Sequence, residues 1–239
     1  MMIDAHTHVF PKWLEYLTRT GLFFGHLKKL KSSATIDSLE QQAENLNIDK
    51  CFVFPLPVVG FSSASNKYIE ALKEDNLVKF GCVSKKEEVI KLKSMGFAGI
   101  KIHQHFQRTS ITRLKGILDI CEKEEMIITM HISRNLFKYE SFSHDIVSLL
   151  KNRTNPLILA HLSAIEHLKD TDVFFDTALR TADDVKQAIS LVGSKRILFG
   201  SDFPVTDINK ELSKLDVLKT VVKEQIIDKN AGNILKQVN

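Results

Sequence analysis

Short apolar runs alternate with amphipathic stretches along the whole chain. Runs at 2–9 (MIDAHTHV), 50–56 (KCFVFPL), 78–83 (VKFGCV), 98–103 (AGIKIH), 126–132 (MIITMHI), 156–162 (PLILAHL), 172–177 (DVFFDT) and 196–201 (RILFGS) predict eight strands. Helical patterns follow them, near 64–75, 86–95, 111–125, 142–152 and 207–218, with a final pair near 219–228 and 231–237. Asp37-Ser-Leu-Glu and Thr181-Ala-Asp-Asp carry helix-start signals, with acids in the first turn. Many strands are apolar nearly throughout, as parallel strands covered on both faces are. Eight such units predict a single (β/α)₈ TIM barrel spanning 1–239. A doubly wound open sheet is the alternative, and no G-x-G-x-x-G supports it.

One connection is long. About 25 residues separate the first strand from the helix near Asp37, including TGLFFGHLKKLKSS, and long loops in compact domains are often functional. It leaves the C-terminal end of strand one, the face where barrel active sites sit. Phe23 and Phe24 are candidates to line a lid; an extra helix packing those rings on the barrel explains them equally well.

Composition narrows the class. With 44% hydrophobic and 26% charged residues the chain is that of a packed globular protein. Thirty-three basic and 29 acidic residues leave a net +4, and the densest basic run, Lys28-Lys29-Leu30-Lys31, is short. No nucleic-acid partner is expected. Cys51, Cys82 and Cys121 are odd in number and sit in apolar or helical segments, so they read as buried thiols of a reducing compartment. No apolar run approaches the ~18 residues of a membrane span, and the start lacks a signal-peptide pattern. The expectation is a cytoplasmic protein acting on a small molecule, with the last helices as a possible homodimer surface.

The polar residues at strand ends change the picture. Of nine histidines, five (His6, His8, His103, His131 and His161) fall at or near predicted C-terminal strand ends, and Asp202 follows the eighth strand. One such histidine would more often be a satisfied core residue; five with an aspartate are hard to explain that way. Residues i and i+2 share a strand face, so His6 and His8 point together. Two adjacent imidazoles repel if protonated and waste acceptors if neutral, and a divalent cation resolves both. Zinc suits such nitrogen and carboxylate ligands; manganese, cobalt, nickel or iron would also be admitted.

The ordered set DAHTHVF, GIKIHQH, MHIS, LILAHLS, FFDTA and RILFGSDFPV resembles the amidohydrolase superfamily, in particular its amidohydrolase-2 branch of metal-dependent hydrolases and decarboxylases. The tail IIDKNAGNIL is similar to that branch's terminal helix. The resemblance implies one or two divalent ions held by His6, His8, His131 and Asp202. Asp202 would also accept a proton from bound water, and His161 would be an acid/base group or a second-metal ligand. A metal can lower the pKa of its water to about 7, where a nearby carboxylate and histidine can move protons.

On strand four, period-two counting puts Lys101 and His103 on one face. Lys101 is a bridging carbamate, a cation for a substrate carboxylate, or an ion-paired residue lower in the barrel, the last two ranked above the first. His103 is the better candidate for touching substrate. Arg134 resembles the His-x-Arg motif of TatD-type deoxyribonucleases but is offset by one; it binds an anionic group or forms a surface ion pair. Asp4 either orients an imidazole or is a structural hydrogen bonder. Asp176 either holds loops near the site or is catalytic. Ser201 lacks a nucleophile elbow and reads as a hydrogen bonder, and Trp13 as core or lid packing. His26, His105, His144 and His167 receive no role.

The leading reading is a hydrolase that uses metal-activated water on a small amide, ester or lactone. The alternative is non-oxidative decarboxylation of an unsaturated or aromatic acid at the same site. A phosphodiesterase, and a metal-binding barrel without turnover, are more distant.

Overall fold

The computed structural model describes residues 1–20, 30–57, 60–107, 109–132, 140–151 and 153–238, with only the backbone of 104, 105 and 140–144. Eight parallel strands run in sequence order: β1 (Ile3–His8), β2 (Lys50–Phe54), β3 (Leu77–Cys82), β4 (Gly99–His103), β5 (Ile127–His131), β6 (Leu157–Leu159), β7 (Phe174–Asp176) and β8 (Ile197–Leu198). Backbone bonds from Ala5 N to Phe199 O (2.9 Å) and from Asp202 N to His6 O (2.8 Å) join the continuation of β8 back to β1. The architecture is the expected (β/α)₈ TIM barrel.

Alternation sorts the side chains. On β2, Cys51 and Val53 pack outward with the helical layer while Phe52 and Phe54 pack with Phe80 and Ile158 in a separate inner cluster. On β4 and β5 the outward set is Ile100, Ile102, Ile128 and Met130. That leaves Lys101, His103, Thr129 and His131 on the opposite face. The register pairs Lys101 with Thr129 and His103 with His131. All three cysteines are free and buried.

The barrel floor is closed by the C-terminal helix Asn230–Val238, whose Ala231 and Ile234 join the inner cluster. Asn230 explains the tail motif. It is buried, and its Nδ2 donates to Ser194 O (2.7 Å) and Ile197 O (2.6 Å), tying that helix to the start of β8.

Three expectations change. The sixth strand ends at Leu159 rather than 162, because His161 and Leu162 turn into the left-handed region (φ 59° and 51°). Asp176 Oδ1 accepts the His161 N–H at 3.0 Å and holds that turn. Only short 3₁₀ turns (Ala160–Leu162 and Ile165–His167), not a full helix, link β6 to β7 among the described residues. The long first connection contains a helix, Lys12–Arg19, and Trp13 is 48% exposed against Phe61, so of core or lid packing the core reading is the one that falls. Phe23 and Phe24 lie outside the described residues. Glu15 anchors this helix: its carboxylate accepts from Arg19 Nε (2.8 Å), Ser33 Oγ (2.8 Å) and Ala34 N (3.1 Å).

Candidate metal centre

The C-terminal strand ends converge on a cavity of about 290 Å³ whose lining includes His6, His8, Lys101, His103, His131, His161 and Asp202. Above these polar groups stand Phe10, Leu30, Leu56, Phe106, Leu179 and Val205, an apolar collar with no periodic sequence signal. The sequence places seven of its eight candidate site residues here; Arg134 lies outside the described residues.

Four of the five cavity imidazoles are oriented by what their Nδ1 meets. His6 Nδ1 donates to Asp176 Oδ2 at 2.7 Å, His161 Nδ1 to the Ala178 carbonyl at 3.1 Å, and His8 Nδ1 faces the Pro55 carbonyl at 3.4 Å. The proton therefore sits on Nδ1 in all three, and each Nε2 presents an acceptor lone pair. Burial pushes the pKa of all three well below the usual histidine value, with the charge of Lys101 adding to it. Neutral imidazole is the form that binds metal. His103 is the reverse case. Its Nδ1 accepts the Phe106 N–H at 3.3 Å, which leaves the proton on Nε2 and makes it a neutral donor on the cavity wall. Its ring is sandwiched between Phe106 (3.9 Å) and His131 (4.1 Å), and its backbone N–H is held by Gln107 Oε1 at 2.6 Å.

Three ligand-type atoms then face one another, with the Lys101 Nζ 3.0 Å from one of them, His6 Nε2. His6 Nε2 is 3.3 Å from His8 Nε2 and 3.4 Å from Asp202 Oδ1, and His8 Nε2 is 3.6 Å from Asp202 Oδ1. Ligands about 2.0–2.1 Å from a tetrahedral zinc stand about 3.3–3.4 Å apart, so the donor set fits a metal. His161 belongs to the same group: its donor atom, with those of His6 and Asp202, falls within 4.8 Å. Its ring is stacked on His6 at 5.0 Å. His131 stands one ring further out, 4.9 Å from His161 between ring centroids. Burial pushes the Asp202 carboxyl up and the Lys101 ammonium down.

Two roles left open by the sequence are decided here. A register shift between Asp4 and Thr7 interrupts the alternation of β1. The Asp4 carboxylate consequently accepts the backbone N–H groups of His6 (3.1 Å) and Ser201 (3.0 Å), making it a structural hydrogen bonder rather than an imidazole partner. Burial pushes its pKa up to about 7. Asp176 is the carboxylate that orients His6. Ser201 is a hydrogen bonder, accepting from Phe203 N at 3.0 Å.

A family model described as amidohydrolase matches residues 75–236. No curated protein matches the chain in sequence. Among solved structures, 5-carboxyvanillate decarboxylase from Sphingomonas paucimobilis is 10% identical with a TM-score of 0.73, covering 98% of each chain. A probable 2-pyrone-4,6-dicarboxylic acid hydrolase from Acinetobacter baumannii is 14% identical at TM-score 0.71, covering 98% of this chain and 99% of its own. A dihydroxybenzoic acid decarboxylase from Polaromonas, with bound manganese, is 12% identical at TM-score 0.72, covering 98% and 96%. At these identities the likeness is one of fold.

Proposed function

The chain belongs to the amidohydrolase family, in its amidohydrolase-2 branch, and from that premise we propose that it is a metal-dependent hydrolase of a small amide, ester or lactone. The observation that carries this reading is the convergence of His6 Nε2, His8 Nε2 and Asp202 Oδ1 at metal-ligand spacing. His6, His8 and Asp202 would hold the ion, with His161 beside them and His131 one ring away. Zinc suits the spacing better than an octahedral ion, whose neighbouring ligands at 2.0–2.1 Å stand only about 2.9–3.0 Å apart; the Polaromonas decarboxylase of the same fold holds manganese. When bound, the ion supplies Lewis acidity and a water of lowered pKa.

The chain's own groups do the rest. The ionised Asp202 carboxylate would take a proton from water, and His161 Nε2, an open acceptor, would receive that proton and relay it to a leaving group. His103 Nε2–H is the donor for a substrate oxygen, and its fixed ring means no reorganisation is needed as charge builds there. The apolar collar excludes water and receives the substrate's hydrocarbon body.

Decarboxylation of a small unsaturated or aromatic acid is the second reading, favoured by one observation: a buried lysine amine on a cavity that also has an apolar collar. Lys101 would hold the carboxylate at a site dry enough to favour its loss. Metal-stripped and zinc- or manganese-loaded protein should be compared on a panel of small lactones, esters and amides. Metal-dependent hydrolysis of any class supports the first reading. Loss of conjugated-acid absorbance with carbon dioxide release, and no hydrolysis, replaces it with the second.

A further inference from the structure

Lys101 is the charged residue of this cavity that the proposed chemistry leaves least explained. It is 1% exposed, on the inner face of β4. Among the described residues its Nζ makes its hydrogen bond not to a carboxylate but to His6 Nε2, at 3.0 Å. The ring of Phe54 lies under the same nitrogen, 4.5 Å to the centroid.

His6 Nε2 has one lone pair. Its Nδ1 is committed as a donor to Asp176, so the ring cannot flip its proton to offer a second arrangement. An ammonium N–H and a metal ion need that same lone pair, and only one can have it. The two are also like charges, which disfavours their sharing a buried site. Yet the three acceptors at 3.3–3.6 Å from one another need some cation among them.

We propose that Lys101 is an internal stand-in for the metal: its ammonium holds the His6 lone pair in the metal-free protein and is displaced when the ion enters. This rests on the metal reading above. Metal-free protein is thereby kept folded and oriented for loading, while the affinity for metal is lowered by the competition. The displaced cation is then available on the cavity wall.

The proposal gives two effects of opposite sign. Lys101→Met removes the charge and keeps the length. Metal-stripped K101M should melt lower than metal-stripped wild type, while its zinc affinity, read by competition with a chromophoric chelator, should rise at least tenfold. A lysine that merely fills space would give the first effect alone. Lys101→Gln should move both quantities in the same directions, which guards against one variant folding badly. In wild type, the slowly exchanging Lys101 ammonium signal and its coupling to the His6 ring nitrogen should vanish on adding one equivalent of zinc. Unchanged or weakened zinc affinity in both variants, a fall in zinc per chain, or persistence of the ammonium coupling after zinc loading would overturn the proposal. If wild type and both variants all take up no zinc, the metal reading itself is lost, and this one with it.

Discussion

Asp176 Oδ2 lies 2.7 Å from His6 Nδ1, and both side chains are sealed from solvent. The other oxygen of the same carboxylate accepts the N–H groups of His161 (3.0 Å) and Ala178 (3.1 Å). One side chain on β7 therefore sets the tautomer of His6, the turn that carries His161, and the carbonyl of Ala178 that orients the His161 ring.

Asp176→Asn should lower zinc affinity by about 10–100-fold, the usual cost of removing a carboxylate behind a metal-bound histidine. The amide has one oxygen where the carboxylate uses two, and turned the other way its NH₂ would donate to Nδ1 and place the His6 proton on Nε2. Chelator competition measures the affinity, and histidine ring nitrogen shifts report the tautomer. An unchanged tautomer with unchanged affinity would remove Asp176 from the site.

Asp202→Asn should reduce turnover by about 10²–10⁴, the range for loss of a positioned proton carrier. Because burial already disfavours this carboxylate's charge, the neutral amide should leave the melting temperature of metal-stripped protein within a few degrees of wild type. His8→Ala, by contrast, should lose its ion on purification, as read by plasma emission. Full metal content in His8→Ala would remove His8 from the ligand set.

Gly200 is glycine because of what stands over it. A Cβ there would sit 2.8 Å from the His6 Cβ and 3.2 Å from the Asp176 Cβ. Gly200→Ala should cost about 1–3 kcal/mol in urea denaturation, as overpacking does, and should weaken zinc binding as well because the displaced residues are the oriented pair. A stability loss without any change in zinc affinity would mean the strain is absorbed elsewhere.

Glu15 should give the fold part of its acid sensitivity. Burial alone would raise its pKa, but the bonds from Arg19, Ser33 and Ala34 outweigh it and hold the value below 4.5. A depressed folded pKa stabilises the protein above the unfolded value, and that stabilisation is lost as pH falls through the folded value. Glu15→Gln should therefore cost about 1–3 kcal/mol at pH 7, with the gap to wild type narrowing below pH 4. Urea midpoints at pH 7 and pH 3 test this, and an equal gap at both would assign the loss to shape rather than charge.

Much of the fold was legible because parallel strands buried on both faces must be apolar and short, so all eight stand out from the amphipathic stretches between them. The candidate site was legible for a related reason. Histidines and a carboxylate at C-terminal strand ends are costly to bury without a purpose, and period two placed His6 with His8 and Lys101 with His103. Where a strand departs from period two, the reading loses its footing: the shift between Asp4 and Thr7 assigned Asp4 to the backbone, and the left-handed turn at His161 shortened β6.

Residue type and spacing thus determined, before any coordinates, that this chain is a (β/α)₈ barrel with histidines and a carboxylate gathered at its mouth. Tertiary structure alone decided which nitrogen of four imidazoles carries the proton, because that depends on partners the strand pattern does not name: Asp176 for His6, Pro55 for His8, Ala178 for His161 and Phe106 for His103. It also decided that Lys101 meets His6 rather than a carboxylate. A strand's own pattern fixes only the face on which a side chain lies; what that side chain meets there is set by the register of its neighbours.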